Sequence, residues 1–347
     1  MATNTLSQPR NTVGALGQLV PGLMLCMVIA AAASFVSGQY GGPKFLYALL
    51  IGMAFHFLAD NGKCLPGIEV AAKKLVRIGV ALLGVRIAVS DIHAIGTVGV
   101  FALAGAVGLT IGFSLLLARV LRLPPMLGLL SGGATGICGI SAAMAISATL
   151  PQSRDNEHFT LLTAIGVAAF STAAMVLYPL VVSATGLSTA EAGLFLGGAI
   201  HDVAQVVGAG FMISTDVGDA ATLAKMFRVA MLMPVVVVLM VLFHQDRVAA
   251  GGTGAAKQPL VPGFLMVFVA LVIVNSLGWL PSEVITLSSD LSKWCLVISI
   301  AALGVKTSFE KLAELGWEPI ALLLGNALFI AGYMLSVVFL VRPWTAA

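Results

Sequence analysis

The sequence predicts an all-α polytopic membrane protein, and three observations carry that prediction. Of 347 residues, 59% are hydrophobic and only 10% are charged. Mean hydropathy is +1.04. Long apolar segments recur from residue 16 almost to the end. A soluble domain needs about 25% charged residues to solvate its surface, so an ordinary cytosolic enzyme is excluded. The spans are helices, because a membrane barrel is written in alternating segments of about ten residues and these runs are continuous.

A hydrocarbon core of about 30 Å takes about 20 helical residues to cross. On that measure the chain divides into about eleven spans, near 16–37, 44–59, 69–90, 96–119, 126–150, 158–183, 189–213, 220–243, 261–280, 287–306 and 316–341. The first follows a polar tail over residues 1–15 and reads as an uncleaved span rather than a signal peptide, since ten more follow it. Residues 16–243 form a first membrane region, 244–260 with their Gly-Gly-Thr-Gly a flexible connection, and 261–347 a second membrane region. An odd number of crossings puts the termini on opposite sides. Eleven of the 18 Lys and Arg then fall on the side of the N-terminus, with Lys63, Lys73 and Lys74 the densest cluster, which predicts a cytoplasmic N-terminus.

A shift of 220 residues lays Ala81-Leu-Leu-Gly-Val-Arg86 on Ala301-Ala-Leu-Gly-Val-Lys306, and Ile95-Gly96 on Leu315-Gly316. The copies sit an odd number of crossings apart, so they point opposite ways. That is the inverted-repeat pattern of secondary transporters, unless apolar helices share Ala, Leu, Gly and Val by chance. Arg86 and Lys306 end the matching segments; each either snorkels to the headgroups or attracts anions at one mouth of a pathway and balances charge along it.

Ser131-Gly-Gly-Ala-Thr-Gly-Ile-Cys-Gly-Ile-Ser141 lies in the middle of the fifth span. Each glycine costs about 1 kcal/mol against alanine in a helix interior, so this window predicts a broken helix whose freed N–H groups face a ligand. Ser131, Gly132, Gly133, Thr135, Gly136 and Ser141 are its candidate substrate-binding residues, a helix N-terminus being suited to an anion. The alternative is close helix packing, since Gly132 and Gly136 have GxxxG spacing.

A second constellation, Gly197-Gly-Ala-Ile-His201-Asp202-Val-Ala-Gln205, also sits inside an apolar run. An acidic residue at a helix centre costs about 2.5–3.5 kcal/mol on insertion scales, so His201 and Asp202 are candidates for proton coupling or charge gating. Gln205, one turn on, shares the face of His201 and joins it as a substrate-binding candidate. The alternative places the pair at a misjudged span boundary in interfacial water. Lys225 and Arg228 open the following span and are expected to be solvated flanks, as are Arg154, Asp155, Glu157 and His158. Asn275 and Asn326 are expected as interhelical hydrogen bonders.

Four scattered cysteines without CxxC give neither a disulfide framework nor a zinc site. GxxxxGK[ST] and HExxH are both absent, so no cofactor, metal or catalytic residue is expected and enzyme chemistry has little support. The net charge of +3 leaves no nucleic-acid footprint.

The Gly-Val-Arg step at 84–86, the 131–141 motif, Gly198-Ala-Ile-His-Asp-Val-Ala-Gln-Val206 and Ala302-Leu-Gly-Val-Lys-Thr307 resemble the YeiH family, catalogued as UPF0324 and labelled sulfate exporters. The resemblance covers most of the chain. It implies a bacterial inner-membrane protein related to the cation/proton antiporter and anion transporter superfamily, with inverted repeats, crossed discontinuous helices and, in many members, elevator movement. The expected function is export of a small inorganic or sulfur-containing anion, sulfate or sulfite first. Rivals are a sodium- or proton-coupled organic-anion carrier, a channel-like pore and a non-transporting sensor or assembly partner. The expected partners are the anion, the lipid bilayer, a coupling proton or sodium ion and, as an assembly, a homodimer.

Overall fold

We describe the protein from a computed structural model, in residues 12–59, 62–151, 153–243, 262–307 and 316–345. The connection expected over 244–260 lies outside the described residues, as does most of the polar tail. All regular structure among the described residues is helical.

Among the described residues, six helical stretches are long and apolar enough to cross a bilayer: Gly17–Tyr40, Gly96–Val120, Arg154–Thr185, Thr215–Leu242, Ser282–Lys306 and Trp317–Leu340. The first lies in α1 (Thr12–Tyr40) and the second in α5 (Val89–Val120). Between them run α2 (Lys44–Ala54), α3 (Leu65–Val70), a π-helical turn over Ala71–Leu75 and α4 (Val76–Leu83). Then come α6 (Pro125–Gly136), α7 (Ile140–Ser147), α8 (Arg154–Thr185), α9 (Thr189–Ala199) and α10 (Val203–Ile213). α11 (Thr215–Ala230) runs on into α12 (Leu232–Leu242), followed by α13 (Gly263–Ser276), α14 (Ser282–Lys306) and α15 (Trp317–Thr345).

The expected spans over 126–150 and 189–213 do not cross. Each is a helical hairpin. Ser131 of α6 meets Thr163 of α8, 3.4 Å between hydroxyls, and Ala134 packs with Val167, so α6 and α8 run the same way. On α7 the order reverses: Gly139 lies against Val167 while Ser147 bonds Asn156. α6 therefore descends, the chain turns at 137–139, and α7 returns with Ile146 seated against Gly133.

The second hairpin enters from the opposite end of α8. Asp202, Gln205 and Gly208 of α10 meet Ser171, Thr172 and Met175 of α8, which makes α10 parallel to α8. Gly193 and Gly197 of α9 lie against Ala220 and Ala224 of α11, and Gly210 against Gly218. α9 thus runs in with α11, and α10 runs back. At 1.5 Å per residue, the 12 residues of α6 and the 11 of α9 reach about 18 and 16 Å, about half of a bilayer core. Of the about eleven expected spans, six lie in helices long and apolar enough to cross, those at α2, α3–α4 and α13 lie in shorter helices, and two are hairpins whose tips meet.

Local sequence places both hairpins. Pro125 starts α6 where its missing N–H costs nothing. Gly139, at φ 68°, makes the first turn. Ser188 and Glu191 form a capping box for α9, Asp202 caps α10 and Ser214 caps α11. Gly186 closes α8 in the left-handed conformation.

The repeat read at a shift of 220 has a structural counterpart. Gly96, at a kink inside α5, and Gly316, just before α15, both adopt left-handed φ, 67° and 83°. Those two helices run antiparallel, with Phe113 and Phe329 stacked at 4.2 Å and Asn326 donating to Ser114 at 2.8 Å. α5 flanks the first hairpin, with Gly132 of α6 against Ser114 and Ile111; α15 flanks the second, with Met334 against Gly198. The first hairpin follows its flanking helix in the chain, whereas the second precedes its own.

Two layers result. The hairpins with α5, α8, α11–α12 and α15 form one; α1–α4, α13 and α14 form the other. They meet through Phe45 of α2 stacked on Phe211 of α10 at 5.7 Å and through Ile300 of α14 against Gly208 of α10.

Candidate functional site

The hairpin tips, 136–139 and 199–202, meet over two buried cations. Lys225 and Arg228 are both 0% exposed, which corrects their expected role as solvated flanks. Their helix starts at Thr215, ten residues before Lys225, so the pair sits at the depth of the tips and not at the membrane surface.

The reason a charge is tolerated there is an accounting of carbonyls. A helix end leaves its last C=O groups without intrahelical partners, and a buried one without any partner costs about 1–3 kcal/mol. Lys225 Nζ donates to the carbonyls of Ile137 at 2.8 Å, Ile200 at 2.9 Å and His201 at 2.6 Å. Arg228 Nε donates to Gly136 O at 2.8 Å. Its Nη1 reaches Gly197, Gly198 and Ile200 at 3.0, 2.8 and 3.1 Å. Its Nη2 reaches Thr135 and Gly136 at 2.7 and 2.6 Å. The residual carbonyls of α6 and α9 are thus held by one ammonium and one guanidinium, which also oppose the negative dipole ends of both helices. Arg fits the larger share because its five donors form a planar fork.

The other termini at the tips behave differently. Asp202 caps α10, its carboxylate accepting from Ala204 N at 3.4 Å, and its own N–H donates to Ser171 Oγ at 3.1 Å. α7 starts at Gly139 with no side-chain cap; Ser141, in its first turn, is exposed.

The polar groups around the tips are incompletely paired. His201 is 1% exposed and neither ring nitrogen makes a hydrogen bond; Gln205 Oε1 and Thr135 Oγ1 are likewise buried without partners. The Gln205 amide nitrogen reaches Thr172 Oγ1 at 3.5 Å. Buried polar groups without partners are rare in folded proteins. Thr110 Oγ1 of α5 and Asn326 Oδ1 of α15 are also buried without partners, so the feature is shared with the helices that flank the hairpins.

The structure brings Thr135, Gly136, His201, Asp202 and Gln205 together at the tips. It places Ser131, Gly132 and Gly133 within α6, packed against α8, α5 and α7, where small residues allow close approach. Arg86 and Lys306 are remote from the tips and ion-paired: Arg86 with Asp219 at 2.8 Å, Lys306 with Glu69 at 3.5 Å. They lie at opposite faces of the fold, as the repeat requires. Asn275 of α13 donates to Ile87 O at 3.3 Å, in the connection between α4 and α5; of the two asparagines, Asn326 makes the expected bond between helices, to Ser114 Oγ. Among the described residues no group of three His, Cys, Asp or Glu converges as a metal site.

Fold and site together define a polytopic membrane protein built on two opposed helical hairpins with cation-locked tips. The sequence profile of a family described as Conserved hypothetical protein 698 matches residues 21–323. A UPF0324 membrane protein of Chlorobaculum tepidum is 46% identical over 319 residues, 92% of this chain and 88% of its own. The UPF0324 membrane protein TauZ of Paracoccus denitrificans is 44% identical over 315 residues, 90% of this chain and 93% of its own. No solved structure matches the chain. The chain belongs to the UPF0324 family of multi-pass bacterial inner-membrane proteins.

Proposed function

We propose that this protein is a secondary carrier, not an enzyme, that moves a small inorganic or sulfur-containing anion outward across the inner membrane, sulfate or sulfite first. One observation carries the reading: two hairpins entering from opposite faces meet at mid-depth over Lys225 and Arg228. Carriers bind at the membrane midplane where helices are interrupted, and a buried charged pair there is a functional site by default. The uncapped first turn of α7 supplies N–H donors and a positive dipole end to an oxyanion. Thr135 Oγ1, the His201 ring nitrogens and Gln205 Oε1 are the side-chain groups available to it.

Alternating access follows as movement of the hairpin layer against the α1–α4, α13 and α14 layer, an elevator type of motion. The Arg86–Asp219 pair then joins the two layers in the conformation described. His201 beside Asp202 is the candidate proton-coupling element. The N-terminus is cytoplasmic: Lys63, Lys73, Lys74, Arg119, Arg122, Arg154 and Lys306 fall on its side, against Lys44, Arg86, Lys293 and Arg342 on the other.

The test is flux in liposomes containing the purified protein, with labelled sulfate and sulfite, with and without an imposed proton gradient, beside His201→Ala and Gly136→Leu. Saturable flux driven by the gradient and lost in both variants is expected. Absence of flux of either anion with folded protein would discard the cargo, and an organic-anion screen would address the rival carrier.

A further inference from the structure

Carriers with interrupted helices commonly hold a coupling sodium ion between unwound carbonyls and half-helix C-terminal ends, while half-helix N-termini face the substrate. The hairpin tips here present that same set of oxygens. Seven carbonyls, those of Thr135, Gly136, Ile137, Gly197, Gly198, Ile200 and His201, converge from two hairpins, and all of them accept from Lys225 or Arg228.

An ammonium has three N–H donors and no acceptor. Three carbonyls surround Lys225 Nζ at 2.6–2.9 Å, so each proton is used and none is left for a substrate. The side chain is therefore a poor direct ligand for an anion and a good substitute for a bound cation. Lys225 draws acceptors from both hairpins, as a bridging ion would. Arg228 takes the rest of both helix ends, so no carbonyl cage remains open beside it.

We propose that the Lys225 ammonium, supported by Arg228, takes the place of a coupling alkali cation at the hairpin tips, and that the protein locks its tips and moves its anion without sodium. The proposal rests on the carrier reading for its second half only. A bound sodium would have to enter and leave with each cycle; a tethered ammonium travels with the hairpins and never dissociates. Lys225 is on this view a positioning residue, acting on substrate through the tips.

The experiment separates the two halves. Thermal unfolding of the purified full-length protein is compared in sodium chloride and choline chloride at equal ionic strength. A ligand that binds only the folded state raises the midpoint with its concentration, so the wild type is expected to melt at one temperature in both salts. Lys225→Ala, which vacates the cage, is expected to melt lower and to regain part of the loss in sodium or methylammonium chloride but not in choline chloride. A wild-type midpoint raised by sodium, or a Lys225→Ala protein indifferent to all three salts, overturns the proposal. Should Lys225→Ala not accumulate, the wild-type comparison decides alone: invariance upholds it and a sodium-dependent rise overturns it. Flux of sulfate and sulfite in sodium-free liposomes is the second readout. Equal flux with and without sodium supports the proposal and sodium-stimulated flux refutes it. If neither anion moves, the cargo reading fails while the melting comparison still rules on the cage.

Discussion

Gly139 and Asp202, turn residues of hairpins that enter from opposite faces, lie against each other: a Cβ built on Gly139 would stand 3.5 Å from the Cβ of Asp202. Gly139 also holds φ 68° and ψ −130°, a conformation open almost only to glycine and costing about 1–3 kcal/mol for other residues. Gly139→Val should therefore lower the melting temperature and misplace both tips at once. Thermal unfolding beside a liposome flux assay checks this; an unchanged midpoint would mean that the tips do not depend on this turn.

Asp202 has two separable roles, helix cap and half-buried charge. Asparagine caps a helix about as well as aspartate, whereas alanine loses about 1 kcal/mol. Asp202→Asn should keep the stability of the wild type and change transport or its pH dependence, while Asp202→Ala should lose both. If Asp202→Asn transports as the wild type does at every pH, the carboxylate is only a cap.

Arg228→Met should be the most damaging single change in the chain. It leaves Thr135, Gly136, Gly197 and Gly198 carbonyls buried without donors, at about 1–3 kcal/mol each, against a total stability of about 5–15 kcal/mol. Little folded protein should accumulate. Arg228→Lys keeps the charge but offers three donors in place of five, so intermediate accumulation is expected by fluorescence-detected size-exclusion chromatography.

His201→Ala should behave in the opposite way. The ring makes no hydrogen bond, so its removal forfeits packing but no polar partner, and large-to-small changes of this kind cost about 2–5 kcal/mol only where the cavity cannot collapse. Folded yield should hold while flux falls. Flux equal to the wild type at every pH would remove His201 from the mechanism.

These residues differ in how far the sequence exposes them. The glycine-rich window at 131–141 and the His-Asp pair at 201–202 stand out in one dimension, because both break an apolar run and helix energetics make such breaks expensive. Lys225 and Arg228 break one too, but the polar stretch Asp216-Val-Gly-Asp219 just before them resembles a span boundary, and their burial depends on carbonyls that only the folded hairpins supply. Hairpin and broken helix were not separable either. Twelve residues, a turn and eight more add up to one crossing, and the linear pattern says nothing about whether the second half continues or returns.

That last ambiguity gives the sharpest test of the fold. If 126–150 and 189–213 were continuous crossings, the loop before α8 would lie on the face opposite the N-terminus and the loop before α9 on the same face. With hairpins, both assignments reverse. Asp155 and Ala190 are exposed in the first turns of α8 and α9, and cysteine at either removes no hydrogen bond of the tips. In a background lacking the four native cysteines, Asp155→Cys should react with a membrane-impermeant thiol reagent only from the face that carries Lys63. Ala190→Cys should react only from the other. The reciprocal result would restore eleven crossings and dissolve the meeting of opposed tips on which the carrier reading stands; labelling as expected would fix the hairpins independently of any cargo.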